Sequence, residues 1–177
     1  MSSNKCIIPE CYIDSCLVEV LLKAGKNHEN QQKSNGKVAN EMKNQFSNDF
    51  CVGIIDEDRK TLDYLQQFDL KKESESLKLW RHKKKEIPHY IIQIRPVIEK
   101  WCLKICNDYE IKLSDFGLPD ELKPFLRISK SVSAKSDIRF INLFKQMKAD
   151  NCEPAIQLKK WIEYLKENKQ NSNIDLL

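Results

Sequence analysis

The sequence lacks the signatures of several common protein classes. No apolar run is long enough to span a bilayer, and the apolar stretch near the N-terminus, Cys6-Ile7-Ile8, is too short for the core of a signal peptide. Four glycines are scattered over 177 residues, so there is no glycine-rich phosphate loop and no dinucleotide-binding turn. A Gly-x-Ser-x-Gly elbow is also absent. We therefore expect a cytoplasmic protein with no membrane contact.

Patterns for disulfides and zinc are missing as well. The seven cysteines are odd in number and no pair has Cys-x-x-Cys spacing. Most of them stand in apolar stretches, where cysteine packs as a small hydrophobic residue. The three histidines have no cysteine or histidine partners at zinc spacing. Neither a disulfide framework nor a zinc site is expected.

What remains is an ordinary globular composition with a mild basic excess. Apolar residues make up 41%, and 30 basic against 26 acidic residues give a formal net charge of +4. This excess is compatible with a polyanionic partner without requiring one. Four cations stand in one run: Arg81, Lys83, Lys84 and Lys85. They are candidates to contact the phosphates of a nucleic acid, and the alternative is a solvated hairpin.

Hydrophobic patterning predicts an α/β protein with a mostly parallel sheet and flanking helices. Residues 50–55 form a continuous apolar run, which favours a strand covered on both faces. Further strands are predicted at residues 5–10, 77–80 and 89–94, with a hairpin-like connection between the last two, and a charged turn is predicted at residues 71–76. Helical periodicity dominates from Pro96 onward. We divide the chain into an α/β core (1–110), a helical extension packed on it (111–168) and a flexible tail (169–177).

Acidic residues follow two of the predicted strands. Glu10 ends the first strand, and Asp56 and Asp58 end the strongest one. In a parallel α/β sheet, ligands bind at the carboxyl ends of the strands. Crowded carboxylates repel, so one must take up a proton or the group must bind a cation, and Mg²⁺ prefers oxygen ligands. The alternative is that such residues cap helices, a role that also suits Asp14.

Three segments resemble motifs of Toprim domains. Residues 7–14 (Ile-Ile-Pro-Glu-Cys-Tyr-Ile-Asp) are similar to the first motif, and residues 53–59 (Gly-Ile-Ile-Asp-Glu-Asp-Arg) to the second. Residues 95–103 contain a Pro-x-x-Glu-x-Trp stretch similar to one in Toprim-like nucleases related to the OLD family. The chain departs from the pattern at Cys11, where many Toprim domains have glycine. The usual second strand is also not visible between Leu21 and Lys37.

This resemblance covers about the first hundred residues and implies a Toprim/Rossmann-like, doubly wound parallel sheet. It also implies Mg²⁺-dependent (or Mn²⁺-dependent) cleavage or transfer at phosphodiesters. Glu10, Asp56 and Asp58 would be catalytic metal ligands, with Glu99 as a further candidate ligand.

The leading hypothesis is a Toprim-like nuclease or phosphodiesterase acting on DNA, RNA or a nucleotide. By analogy, the lack of an ATPase module in this chain points to a separate ATPase as a protein partner. The rival hypothesis is a non-enzymatic α/β protein-interaction module whose acidic residues only cap helices. Metal binding separates the two hypotheses, because a scaffold of this kind has no use for a metal ion.

Overall fold

The structure is a computed structural model that describes residues 4–23, 34–57 and 62–177. These residues form five strands and six α-helices, linked by loops and short 3₁₀ turns. In chain order they are β1 (Ile7–Pro9), α1 (Tyr12–Leu21), α2 (Asn35–Asn44), β2 (Cys51–Asp56), β3 (Phe68–Glu73), β4 (Leu77–His82), β5 (His89–Ile94), α3 (Ile98–Asp108), α4 (Leu122–Ser129), α5 (Ile138–Ala149) and α6 (Glu153–Asn168).

The five strands form one mixed sheet in the order β1-β2-β5-β4-β3. The β1–β2 and β2–β5 pairs are parallel, whereas β4 runs antiparallel to both β5 and β3. The predicted α/β class with flanking helices is confirmed, but half of the strand pairings are antiparallel. Asp56 lies beside Ile94 in the register. The ends of β1, β2 and β5 therefore share one edge, called here the carboxyl edge, and β2 and β5 begin at the opposite, amino edge.

Both faces of β2 are buried, as its continuous apolar run predicted. Val52 and Ile54 belong to the larger core, which packs against α1, α3, α5 and α6. Cys51 and Ile55 belong to a second core beneath α2. Because the side chains of a strand alternate between faces, a strand covered on both sides needs apolar residues at every position.

The strand β3 shows that one prediction was wrong. Residues 71–76 were expected to form a charged turn, but β3 runs to Glu73 and pairs with β4 through a bulge between Leu70 and Lys72. Only Phe68 is buried in this strand. An outer strand gains its backbone hydrogen bonds from one neighbour and can keep polar side chains in water, so it carries no apolar signal.

The last residues of the chain contact the amino edge of the sheet. The Tyr90 hydroxyl donates to the Lys169 carbonyl (2.7 Å), and the Arg81 guanidinium donates to the carbonyls of Gln170 (3.0 Å) and Ser172 (3.3 Å). Ile174 is buried in the larger core. Throughout the three described ranges, no helix has the length and hydropathy required to cross a membrane.

Candidate acidic site at the carboxyl edge

Four carboxyl groups gather at the carboxyl edge, and we call them the acidic cluster: Glu10, Asp14, Asp56 and Glu99. Glu10 follows β1 and Asp56 ends β2, which are parallel neighbours. Asp14 and Glu99 lie in the first turns of α1 and α3, and these helices start where β1 and β5 have ended. The topology therefore brings together residues that are up to 89 positions apart.

Glu10 and Asp56 are held by hydrogen bonds from the backbone. The Asp56 amide donates to Glu10 Oε2 (3.1 Å), which ties the end of β1 to the end of β2. Asp56 Oδ1 in turn accepts from the amide of Ile98 (2.8 Å), the first residue of α3. Helix α3 therefore begins two residues after the predicted start at Pro96, with Asp56 bound to its first amide.

Asp14 and Glu99 are each oriented through one oxygen. The Cys11 amide donates to Asp14 Oδ2 (3.0 Å), and the Ser129 hydroxyl donates to Glu99 Oε1 (2.7 Å). Both carboxyl groups are deeply buried, with relative exposures of 1% for Asp14 and 6% for Glu99. Asp14 Oδ1 has no hydrogen-bond partner among the described residues. A buried carboxylate oxygen without a partner is costly unless it is protonated or binds a cation.

The crowding raises the pKa of two members of the cluster. Burial raises the pKa of Asp56 to about 9, and the nearby carboxylates of Asp14 and Glu10 add to this shift. Burial also raises the pKa of Asp14 to about 7, against the opposing effect of its hydrogen bonds with Cys11. The same environment raises the pKa of the Cys11 thiol, so that thiol is neutral. At neutral pH the cluster retains protons that a divalent cation would displace.

Helix capping explains only part of this arrangement. Asp14 and Asp56 do bind amides at the starts of α1 and α3, as the capping alternative requires. A carboxylate that serves only as a cap is stabilised in its charged form by the amides and the helix dipole, so its pKa falls. The pKa values of Asp14 and Asp56 rise instead. Capping positions these two groups but does not explain why they are buried beside other acids.

The donor chemistry of the cluster suits Mg²⁺ or Mn²⁺, which prefer carboxylate oxygens. In residues 4–23, 34–57 and 62–177, however, no three Asp, Glu, His or Cys side chains are placed to hold one ion. Asp58, the third predicted ligand, lies outside the described residues. The fit to a metal therefore rests on the oxygen donors, on the unpartnered Asp14 Oδ1 and on the raised pKa values.

A second charged group lies next to the acidic cluster and is internally paired. The Glu57 carboxylate accepts from Lys78 and from Arg95 Nε (2.8 Å). Arg95 also donates to Glu73 (2.7 Å). These partners lower the pKa of Glu57 although partial burial opposes them. Neighbouring acids at one edge therefore have opposite environments, since Glu57 has cations and Asp56 has further acids.

The predicted nucleic-acid-binding residues Arg81, Lys83, Lys84 and Lys85 do not adjoin the acidic cluster. Leu77 is level with Asp56 in the sheet, because both align with Ile94. Arg81 is four residues further along β4, about 13 Å at the usual rise per residue, and the lysines follow it. Lys83 donates to the Gln66 carbonyl (2.8 Å), whereas Lys84 and Lys85 are exposed. This basic run lies at the amino edge.

Sequence reasoning treated Asp14 mainly as a cap and did not single out Ser129. The position of Asp14, four residues after Glu10 and in the first turn of α1, was an available signal. No local signal marks Ser129, because it reaches Glu99 only through the packing of α4 against α3.

No protein-family model matches the chain, and neither the curated proteins nor the solved structures include a detectably similar one.

Proposed function

We propose that this chain is a metal-dependent phosphodiester enzyme acting on nucleic acid, most simply a nuclease of Toprim-like design. The observation that carries the proposal is the gathering of four carboxyl groups at the carboxyl edge, of which Asp14 and Glu99 are buried and Glu10 and Asp56 are half-buried. An α/β protein places ligands at this edge, and buried titratable groups with perturbed pKa values mark functional sites more often than other positions.

In this proposal Glu10 and Asp56 hold Mg²⁺ or Mn²⁺ together with Asp58, and Glu99 and Asp14 stand beside them. When bound, the ion would polarise a phosphoryl oxygen and lower the pKa of a coordinated water. The Asp56 amide and the start of α3 keep the carboxylates of Glu10 and Asp56 in place. The Ser129 hydroxyl fixes the rotamer of Glu99, which makes Ser129 a positioning residue.

Asp14 has a separate role in this proposal, because it is buried and one of its oxygens is unpartnered. With its pKa raised, Asp14 exchanges a proton near neutral pH. It is therefore suited to take a proton from an attacking water or to give one to a leaving oxygen. The Asp14→Asn variant keeps the shape of the side chain and removes this exchange.

The deciding experiment measures thermal unfolding with and without Mn²⁺ for wild type, Asp56→Asn and Glu10→Gln. The matched control is Asp120→Asn, since Asp120 is an exposed carboxylate far along the chain. At a concentration one hundred times the dissociation constant, Mn²⁺ should raise the midpoint of wild type and of the control by roughly 5–10 °C. The increase should vanish in the two cluster variants.

Cleavage assays on labelled single-stranded DNA, duplex DNA and RNA follow with the same proteins. Metal-dependent cleavage by wild type and Asp120→Asn, lost in Asp56→Asn and Asp14→Asn, is the expected pattern. A Mn²⁺ effect that is absent from wild type, or equal in all variants, would contradict the proposal and leave the carboxylates as helix caps in an interaction module.

A further inference from the structure

A groove of about 670 Å³ runs along the outer side of α1. Its walls come from α1, from α5 and from the 3₁₀ turn Val132–Ser136. Tyr12, the first residue of α1, lines the groove, and so does Lys23, which lies two residues beyond the end of that helix. The groove therefore extends along α1 for about 15 Å.

One end of this groove lies at the start of α1, which is the end of the helix nearest the carboxyl edge. Tyr12 is two residues from Glu10 and two residues from Asp14. A ligand lying along α1 would therefore approach the carboxyl edge at its Tyr12 end. The length of the sheet separates the cluster from the basic run at the amino edge.

The groove has apolar walls. Val20, Ile141 and Val132 line it, and Val132 keeps 68% of its surface exposed although it is a large apolar residue. Covering apolar surface that is in contact with water lowers the free energy, and a flat apolar group can cover it. Nucleic-acid bases present such faces only where they are unpaired.

The charges around the groove are predominantly positive. Four lysines line it and Glu19 is the acidic residue among them. Two of the lysines have structural roles: Lys135 pairs with Glu19 (3.8 Å), and Lys148 donates to the Leu21 carbonyl (2.8 Å) at the end of α1. Lys23 and Lys145 are exposed, and within the described part of the chain neither forms an ion pair.

We propose that this groove binds an unpaired nucleic-acid strand and leads it to the acidic cluster. Bases would cover the apolar wall at Val20 and Ile141, and Lys23 and Lys145 would contact phosphates. The proposal rests on the proposed function in one respect, which is that the bound strand is the substrate. A duplex would bring phosphates to the lysines but could not cover the apolar wall.

The test measures binding by fluorescence anisotropy of a labelled single-stranded oligonucleotide in EDTA, so that no cleavage occurs. The variant is the double substitution Lys23→Gln with Lys145→Gln. Its matched control is Lys84→Gln with Lys85→Gln, which removes the same charge from exposed lysines at the amino edge. The groove variant should bind at least about fivefold more weakly, and its salt slope should fall by roughly 1.4, or 0.7 for each lost phosphate contact. The control should lose less than twofold.

A second variant addresses the apolar wall. Because Val132 is largely exposed, Val132→Glu should leave the fold intact while placing a charge in the groove. We expect weaker binding of the single strand, and duplex DNA of the same sequence should bind wild type more weakly than the single strand does. RNA and DNA strands are compared to identify the preferred sugar. Equal loss in the amino-edge control, tighter binding of duplex, or full displacement by polyglutamate at equal charge would each overturn the proposal.

Failure of this inference differs from failure of the proposed function. If Mn²⁺ stabilises the protein and cleavage occurs while the groove variants keep wild-type binding, the groove is not the strand site and the function stands. If neither metal effect nor cleavage is found but the groove lysines govern binding, the groove stands as a strand-binding site in a non-catalytic protein. Asp56→Asn in EDTA should bind the strand as well as wild type does, because Asp56 does not line the groove.

Discussion

The two edges of the sheet bury polar groups in opposite ways. At the amino edge, His89 lies between two partners: its Nε2 donates to the Phe46 carbonyl (3.1 Å), and its Nδ1 accepts from the Tyr64 hydroxyl (2.8 Å). A carbonyl can only accept, so these bonds define a neutral ring with both nitrogens satisfied. At the carboxyl edge, Asp14 and Asp56 are buried beside further acids, and Asp14 retains an unpartnered oxygen.

This difference separates a fully hydrogen-bonded arrangement of buried polar groups from one that is not fully hydrogen-bonded. A network in which every polar group has a hydrogen-bond partner stabilises one packing of the core without a ligand. A cluster of like charges lowers the stability of the metal-free protein, and its free energy is recovered only when protons or cations bind. Each edge can be perturbed separately, and the pH dependence of stability should have opposite signs at the two edges.

The largest effect is expected at the carboxyl edge as the pH rises. The pKa values of Asp14 and Asp56 are raised by folding, so the native state holds more protons than the unfolded state above pH 4. Their stabilising contribution is complete below that pH and is lost as the pH rises through about 7 and about 9. As the pH rises, some of these groups are protonated in the native state and ionised in the unfolded state. Without metal, each such group should lower the free energy of unfolding by on the order of 1.4 kcal/mol per pH unit.

Urea unfolding at pH 5, 7 and 9 measures this loss, and Asp56→Asn should flatten it. Adding Mn²⁺ should flatten it in wild type as well. A wild-type stability that stays constant or rises over this range would show that the acids are not buried as described.

The amino edge should respond to pH in the opposite direction. Burial lowers the pKa of His89 below its ordinary value of 6.5. The unfolded state therefore takes up a proton first as the pH falls, and stability that is present above pH 6.5 is lost on acidification. His89→Gln should remove the contribution of His89 to the pH dependence, while those of His82, Asp14 and Asp56 remain, and it should cost about 1–3 kcal/mol because the Tyr64 hydroxyl loses its acceptor. The pH dependence of urea unfolding between pH 7 and 5 tests this, with Tyr64→Phe as a variant that removes the hydrogen bond but keeps the titrating ring.

A change in the middle of the sheet should affect both edges alike. A Cβ atom on Gly53 would lie 2.9 Å from Met42 Sδ and 2.9 Å from Val38 Cγ1, so this glycine allows α2 to pack closely on β2. Gly53→Ala should cost about 1–3 kcal/mol through overpacking, at every pH. Gly36→Ala is the matched control, since its Cβ would meet nothing within 4 Å. Urea unfolding should show the control unchanged or slightly more stable.

The smallest effect is expected from the paired charges beside the acidic cluster. Glu57 retains 28% exposure of its side chain, and so does its partner Arg95. Glu57→Gln should therefore change the free energy of unfolding by less than about 1 kcal/mol, and salt should reduce the difference further. Thermal unfolding at 50 and 500 mM salt is the measurement. A decrease in the free energy of unfolding as large as that of the His89 variant would mean that Glu57 is coupled energetically to the acidic cluster.

Sequence reasoning found the strands whose positions are set by apolar runs. The strand over residues 50–55 and the hairpin of β4 and β5 were predicted, because burial on a pleated surface imposes a repeating choice of side chains. The strand β3 was missed because its pairing uses backbone groups only. The direction of β4 relative to β5 was correctly predicted as hairpin-like, yet the sheet as a whole was expected to be mostly parallel.

The acidic cluster was predictable in part. Glu10 and Asp56 follow adjacent parallel strands, and that placement can be inferred from the sequence. The contribution of Ser129 could not be predicted, since it depends on how α4 packs on α3. The separation of the basic run from the cluster was also not foreseen. The antiparallel direction of β4 carries Arg81 away from Asp56.

The polar outer strand β3 has one more consequence, for the behaviour of the protein at high concentration. The amides and carbonyls on the free side of an outer strand can pair with another extended chain. Outer strands that are long and apolar promote fibril formation for this reason. Here Lys71, Lys72 and a bulge interrupt that surface, although Leu70 remains 41% exposed. Replacing the two lysines with valine should increase self-association at high concentration, which light scattering on concentrated samples of wild type and variant would detect.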